Sequence, residues 1–167
     1  MNVKKRIFKS LVTVAGLILL TSCMPSGNVV GSAQFSTISS NFSDPGDITY
    51  LDVNGGVVVT PNGIRTRLNK AKFSIPSKGI FLTASRFRDV STDNIPKSII
   101  TDARLKGKNT CAYVTGTFDD GQDFAAFIYL EPLTNKPTIL LGASAGGEYV
   151  GQLSSGKLQI GGRNLCG

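Results

Sequence analysis

The sequence predicts an all-β fold, either an antiparallel β-sandwich or a small β-barrel of about nine or ten short strands, preceded by an N-terminal flexible tether. From Ile48 onward, short runs alternate apolar and polar residues, which is typical of half-buried strands. Turn residues separate these runs at the spacing of roughly 8 to 12 residues that is common in all-β domains. No long segment has the apolar periodicity of an amphipathic helix.

The first strands are predicted at residues 48–53 and 57–60, joined at Asn54-Gly55, because this dipeptide suits a tight hairpin turn. Pro61-Asn62-Gly63 turns the chain again. Alternation then continues through residues 64–75, and a turn at residues 76–79 leads into a strand at 80–87.

Residues 97–105 fit a helix or a strand, and we favour a short helix. Residues 110–118 and 124–130 are rich in β-branched and aromatic side chains and form the clearest strand pair. The last strands are predicted at 138–141, 149–153 and 157–160, with a turn at 154–156 between the final two.

The N-terminus has the pattern of a secretory signal peptide over residues 1–22. Lys4, Lys5, Arg6 and Lys9 precede an uncharged apolar run at residues 11–20. That run is shorter than the roughly 20 helical residues that cross a bilayer. A basic start, a short apolar run and small residues after it indicate export.

Leu20-Thr21-Ser22-Cys23 resembles the lipobox of bacterial lipoproteins. The resemblance implies that the signal is cut before Cys23, which becomes lipidated and anchors the protein in a membrane of the cell envelope. Met24, where Asp would retain the protein at the inner membrane, implies the outer membrane in a Gram-negative cell. Residues 23–46 are rich in Ser, Gly and Asn and are predicted as the tether, and residues 47–167 as a single all-β domain. The alternative within the tether is one edge strand that includes Val29, Val30 and Phe35.

Cys111 and Cys166 remain once Cys23 is lipidated. Two cysteines on the exported side predict a disulfide, since that side is oxidising. The bond closes a loop of about 55 residues, which is worth on the order of 4 kcal/mol in the chain-entropy model.

Positive charge is concentrated in one segment. The formal net charge of +7 falls to +3 without the signal, yet residues 63–108 hold 11 basic and 3 acidic residues. Arg65, Arg67 and Lys72 are predicted to lie on one outer face, which suits an anionic envelope polymer or lipid. The alternative is a solvated outer face that keeps the sheet soluble. No aromatic ladder for base stacking is present, so nucleic acid is not a predicted partner.

The absence of His excludes mechanisms that need an imidazole base or ligand. Gly142-Ala143-Ser144-Ala145-Gly146 matches a hydrolase elbow motif, but the serine has no histidine to activate it, so we interpret the motif as a Gly/Ser loop. Asp119, Asp120 and Asp123 lack the spacing of a calcium loop and suit a hairpin. We predict no metal and no cofactor.

These features predict a non-enzymatic, lipid-anchored binding or structural module of the cell envelope. The alternative is an envelope enzyme, or a lysozyme-type enzyme inhibitor, that uses the loop from Gly142 to Tyr149. Residues 144–150 loosely resemble a loop of the small barrel lipoproteins that inhibit lysozyme. Glu148 stands where that family has Arg, and its Trp-bearing strand is missing.

Overall fold

Eight antiparallel strands close into a barrel in the computed structural model, which describes residues 28–92, 95, 97–160 and 163–166. Each strand pairs with the next, and β1 also pairs with β8. The strands are β1 (Asn28–Ser40), β2 (Ile48–Thr60), β3 (Gly63–Ile75), β4 (Ile80–Ser91), β5 (Asn109–Phe118), β6 (Asp123–Glu131), β7 (Lys136–Ala143), β8 (Glu148–Ile160) and the short β9 (Arg163–Asn164), which pairs with the end of β8. The all-β prediction is confirmed, and of its two architectures the structure has the barrel.

Alternation along each strand separates the barrel interior from its outer wall. On β6, Phe124 and Ile128 belong to the interior core, whereas Phe127 and Tyr129 belong to a smaller apolar cluster outside the wall. This alternation follows from the two-residue period of side chains on a strand. Both faces of β6 are apolar because one face packs in the interior core and the other in the outer cluster.

Strand β1 corrects the predicted tether. Residues 23–46 were assigned to it, but Asn28–Ser40 form a full strand with a partner on each side. The inward side chains of Ala33, Phe35 and Thr37 are nearly fully buried. Their alternation with polar residues makes a strand, although two of the three are too small to give a strong apolar signal. Residues 23–27 lie outside the described residues.

Two predicted turns are β-bulges inside long strands. At Asn54-Gly55 the chain does not turn back; β2 continues, and the register shifts so that Asn69 of β3 is the extra residue. Likewise the predicted turn at 154–156 lies within β8, where the register with β1 shifts at Ser154. A bulge adds one residue to one strand and increases the local twist, and Gly and Ser occur at bulges as well as in turns.

The segment before β5 is not the short helix that we predicted. It contains one 3₁₀ turn, Ala103–Leu105, which the Asp102 side chain caps. Leu105 is buried against Phe127, Tyr129 and Leu140 on the outer wall of the barrel. The described residues contain no helix long and apolar enough to cross a membrane.

The two ends of the barrel differ. We call the end where β1 begins the first end; it also carries the connection between β4 and β5 and the C-terminal segment. The second end is filled by Tyr149, which is fully buried and meets Phe73 edge-on at 5.1 Å between ring centroids. Burial raises the pKa of the Tyr149 phenol, and the nearby Thr49 and Thr37 hydroxyls offset only part of that rise. Tyr149 does not line the interior cavity described below, whereas Gly31, Leu158 and Leu165 near the first end do.

Candidate binding site between strands β3 and β4

Strands β3 and β4 part over half of their length. The ladder between them runs only from the Ala71–Ala84 pair to the Ile75–Ile80 pair. Near the point of separation, each strand has a register shift with its other neighbour, at Asn69 on β3 and at Ser85 on β4. Because bulges bend and twist a strand, these shifts account for the separation.

A cleft of about 740 Å³ lies where the two strands part. Four arginines line it: Arg65 and Arg67 from β3, and Arg86 and Arg88 from β4. We call it the arginine cleft. Asp89 is the acidic residue among the described residues that line it, so the cleft has a net positive charge.

Three of the four guanidinium groups have no acidic partner among the residues that the structure describes. Among the described residues, no ion pair involves Arg65, Arg67 or Arg86. Arg88 pairs with Asp123, with 2.9 Å between Nη1 and Oδ1. The hydrogen bond from the Thr117 hydroxyl, followed by that from Arg88, lowers the pKa of the Asp123 carboxyl. Arg88 is thus partly neutralised.

The predicted basic face and the arginine cleft overlap only in part. Arg65, Arg67 and Lys72 are all exposed, but Lys72 lies outside the arginine cleft, opposite Asp52 of β2. The structure instead brings Arg86 and Arg88 beside Arg65 and Arg67. Both added arginines belong to the basic segment seen in the sequence. Their position depends on where β3 and β4 separate, which the local pattern does not specify.

Behind the cleft, the barrel interior contains an apolar cavity of about 100 Å³. Five small residues leave this space because they project little or no side chain into it: Gly31, Ala71, Ala84, Ala112 and Ala126. Thr66, Leu68, Phe87, Val90 and Thr92 line both the cavity and the arginine cleft. A single layer of side chains therefore separates the charged cleft from the apolar interior.

Cys111 and Cys166 form a disulfide, which confirms the pairing that the sequence predicts. The disulfide lies at the first end of the barrel, beside this cavity. The Cα atoms lie 5.3 Å apart, a usual separation for a disulfide. Cys111 is the extra residue of a β-bulge on β5. Leu165, next to Cys166, lines the cavity, and its N–H donates to the Leu158 carbonyl at 2.7 Å. The disulfide thereby holds Leu165 against the barrel interior.

The segment from Gly142 to Tyr149 contains the end of β7, the connection at residues 144–147 and the start of β8. A strand follows the connection where a hydrolase elbow would lead into a helix. Ser144 is exposed, and its Oγ accepts a hydrogen bond from the Asp123 N–H at 3.1 Å. The interpretation as a Gly/Ser loop agrees with this geometry.

The acidic hairpin between β5 and β6 makes local hydrogen bonds. The Asp119 carboxylate accepts from the Ser85 hydroxyl, and the Asp120 carboxylate accepts from the Gln122 side chain. Within the described parts of the chain, no three Asp, Glu, Cys or His side chains are grouped to hold a metal ion. Cys23 lies outside the described residues.

No family model matches the chain, and no curated protein or solved structure matches it.

Proposed function

We propose that this protein is a lipid-anchored, non-enzymatic binding module of the cell envelope, and that its arginine cleft holds an anionic group. The observation that carries the proposal is the set of three guanidinium groups, on Arg65, Arg67 and Arg86, that line one cleft and have no acidic partner in the described parts of the chain. Arginine donates several fixed N–H groups, which suit the paired oxygens of a carboxylate or phosphate. An anion in the cleft also relieves the repulsion among the arginines.

The proposed anchor supports a membrane-facing orientation. Cys23 lies five residues before Asn28, where β1 begins. Five residues span at most about 18 Å, since each extended residue adds about 3.3–3.6 Å. Strand β1 begins at the first end of the barrel, beside the cavity and the disulfide. A lipid on Cys23 therefore keeps this end near the bilayer.

Vesicle binding tests the proposal. The chain from Met24 to Gly167, which contains every strand of the barrel but no lipid site, is sedimented with phosphatidylglycerol or phosphatidylcholine vesicles. We expect binding to the anionic vesicles alone, with release near molar salt, because the Debye length falls to about 3 Å there.

Two variants separate the cleft from general surface charge. Replacing Arg65, Arg67 and Arg86 together by Gln removes the three cleft cations that have no ion pair with a described residue, and it should abolish sedimentation. Lys72→Gln removes an exposed cation outside the cleft and should leave most of the binding. Equal binding by the triple variant and the unchanged protein would mean that the arginines only solvate the outer face.

A further inference from the structure

We infer that the barrel cavity takes the alkyl chain of a single-chain anionic amphiphile, whose carboxylate or phosphate lies in the arginine cleft. This inference rests on the proposed function, because the same arginines hold the head group. It adds an interior site and the chemical class of the ligand.

The first support is the character of the cavity. Among the described residues that line it, Thr66, Thr92 and Gln159 are polar, and the rest are apolar or glycine. The Thr66 and Thr92 hydroxyl oxygens lie 3.1 Å apart, and the Gln159 amide donates to Asn164 at 3.1 Å. Polar atoms of the lining thus have protein partners. An apolar cavity whose lining offers water no partner stays dry and favours an apolar occupant.

The second support is the pattern of small residues. An eight-stranded barrel is just wide enough for side chains to fill it. Here Ala71, Ala84, Ala112 and Ala126, from four consecutive strands, face the same space. Larger side chains at these positions would close the core, as Phe73 and Tyr149 do toward the second end. The small residues leave this part of the interior underfilled.

The third support is the shared wall. Leu68 and Phe87 line both the cleft and the cavity and are only half-buried. They lie on the parts of β3 and β4 that the ladder does not join. An alkyl chain that passes between them has its charged end beside Arg65 and Arg86. Backbone hydrogen bonds between these strands need not break for it to enter.

The size of the cavity selects a single chain. Its volume of about 100 Å³ is below the roughly 150 Å³ of an engineered apolar cavity that binds benzene. It accommodates the end of one alkyl chain, with the remainder beside Leu68 and Phe87. Two acyl chains of a phospholipid do not fit together. The proposed anchor keeps the first end of the barrel near the bilayer, and the bilayer is a source of such amphiphiles.

Calorimetric titration of the lipid-free chain from Met24 to Gly167 tests the inference without any mutation. The probes are butyrate, hexanoate, octanoate, decanoate and dodecanoate, each below its micelle concentration. Affinity should rise about fourfold for each methylene that enters the cavity, the ratio that corresponds to burying one CH₂ group. Dodecyl phosphate distinguishes a phosphate from a carboxylate head group, and dodecyltrimethylammonium should not bind.

Matched variants locate the chain. Ala126→Leu fills the cavity and should weaken dodecanoate binding at least tenfold while leaving butyrate unaffected. Ala125→Leu adds the same side chain on the opposite face of β6 and should bind dodecanoate normally. Arg86→Gln should weaken both carboxylates, because both place their charge in the cleft.

The outcomes separate the two proposals. If butyrate binds as tightly as dodecanoate and Arg86→Gln weakens both, the arginine cleft binds the anion as proposed, but the cavity does not bind the alkyl chain. If dodecyltrimethylammonium binds as well as dodecanoate and Arg86→Gln has no effect, the proposal that the arginine cleft binds an anionic group is wrong. Should Ala126→Leu fail to fold, the chain-length series on the unchanged protein still decides.

Discussion

Gly55 lies where the backbone of β3 passes close to that of β2. A Cβ atom at this position would lie 2.2 Å from the carbonyl oxygen of Arg67. The neighbour is backbone, so no side-chain rotation relieves the contact. Glycine at this position therefore permits the bulge that precedes the arginine cleft.

We expect Gly55→Ala to lower the free energy of unfolding by about 1–3 kcal/mol, the usual cost of overpacking. Gly142→Ala is the matched control, because a Cβ there would meet no atom within 4 Å. Urea unfolding followed by circular dichroism measures both. Equal midpoints for the two variants would show that β2 and β3 can separate at this bulge without cost.

Cys23 carries the prediction of the anchor. Because its thiol is the proposed acylation site, Cys23→Ser should abolish incorporation of labelled palmitate and leave the unprocessed precursor in cells. Cys111→Ser serves as a control that removes a cysteine without touching the lipobox, and it should still be labelled. Palmitate on the Cys23→Ser protein would contradict the lipoprotein hypothesis.

At the scale of elements, the sequence was most informative where large apolar residues alternate, as in β5 and β6. Strand β1 escaped prediction as a full strand because Ala33 and Thr37 occupy its inward positions, and small or polar residues do not stand out. The sequence predicts hairpin turns at Asn54-Gly55, which lies opposite the bulge at Asn69, and at 154–156, where β8 has its bulge at Ser154. Both features require small or polar residues, and only the pairing of distant strands distinguishes them.

Leu105 is the most buried of the described residues in the connection between β4 and β5. Leu105 is 1% exposed and packs on the outer wall, so Leu105→Ala should cost about 2–5 kcal/mol, as core truncations do. Leu133, in the turn between β6 and β7, is 93% exposed, and Leu133→Ala should change stability little. Thermal unfolding compares the pair. A Leu105 variant as stable as the Leu133 variant would mean that this connection does not stabilise the barrel.

At the scale of the whole molecule, the disulfide joins β5 to the C-terminal segment and keeps Leu165 at the cavity. Removing both cysteines, as Cys111→Ser with Cys166→Ser, should lower the free energy of unfolding by about 4 kcal/mol, because the unfolded chain gains loop freedom. Urea midpoints with and without reductant measure this loss. The reduced protein should match the double variant, and a midpoint insensitive to both changes would rule out a stabilising role.

The sequence predicts only part of the candidate site. The disulfide pair followed from the small number of cysteines, and Arg65 and Arg67 followed from the alternation along β3. Arg86 and the apolar cavity depend on barrel closure and on the separation of β3 from β4. Those properties arise from contacts between residues far apart in sequence, which single-strand patterns do not contain.

A crystal structure of the lipid-free barrel with ω-bromododecanoate tests the central claim most directly. The anomalous signal of bromine marks the end of the alkyl chain. We expect that signal inside the barrel, between Ala112 and Ala126, with the carboxylate beside Arg65 and Arg86. Bromine on the outer wall, or a carboxylate bound away from the arginine cleft, would contradict the account.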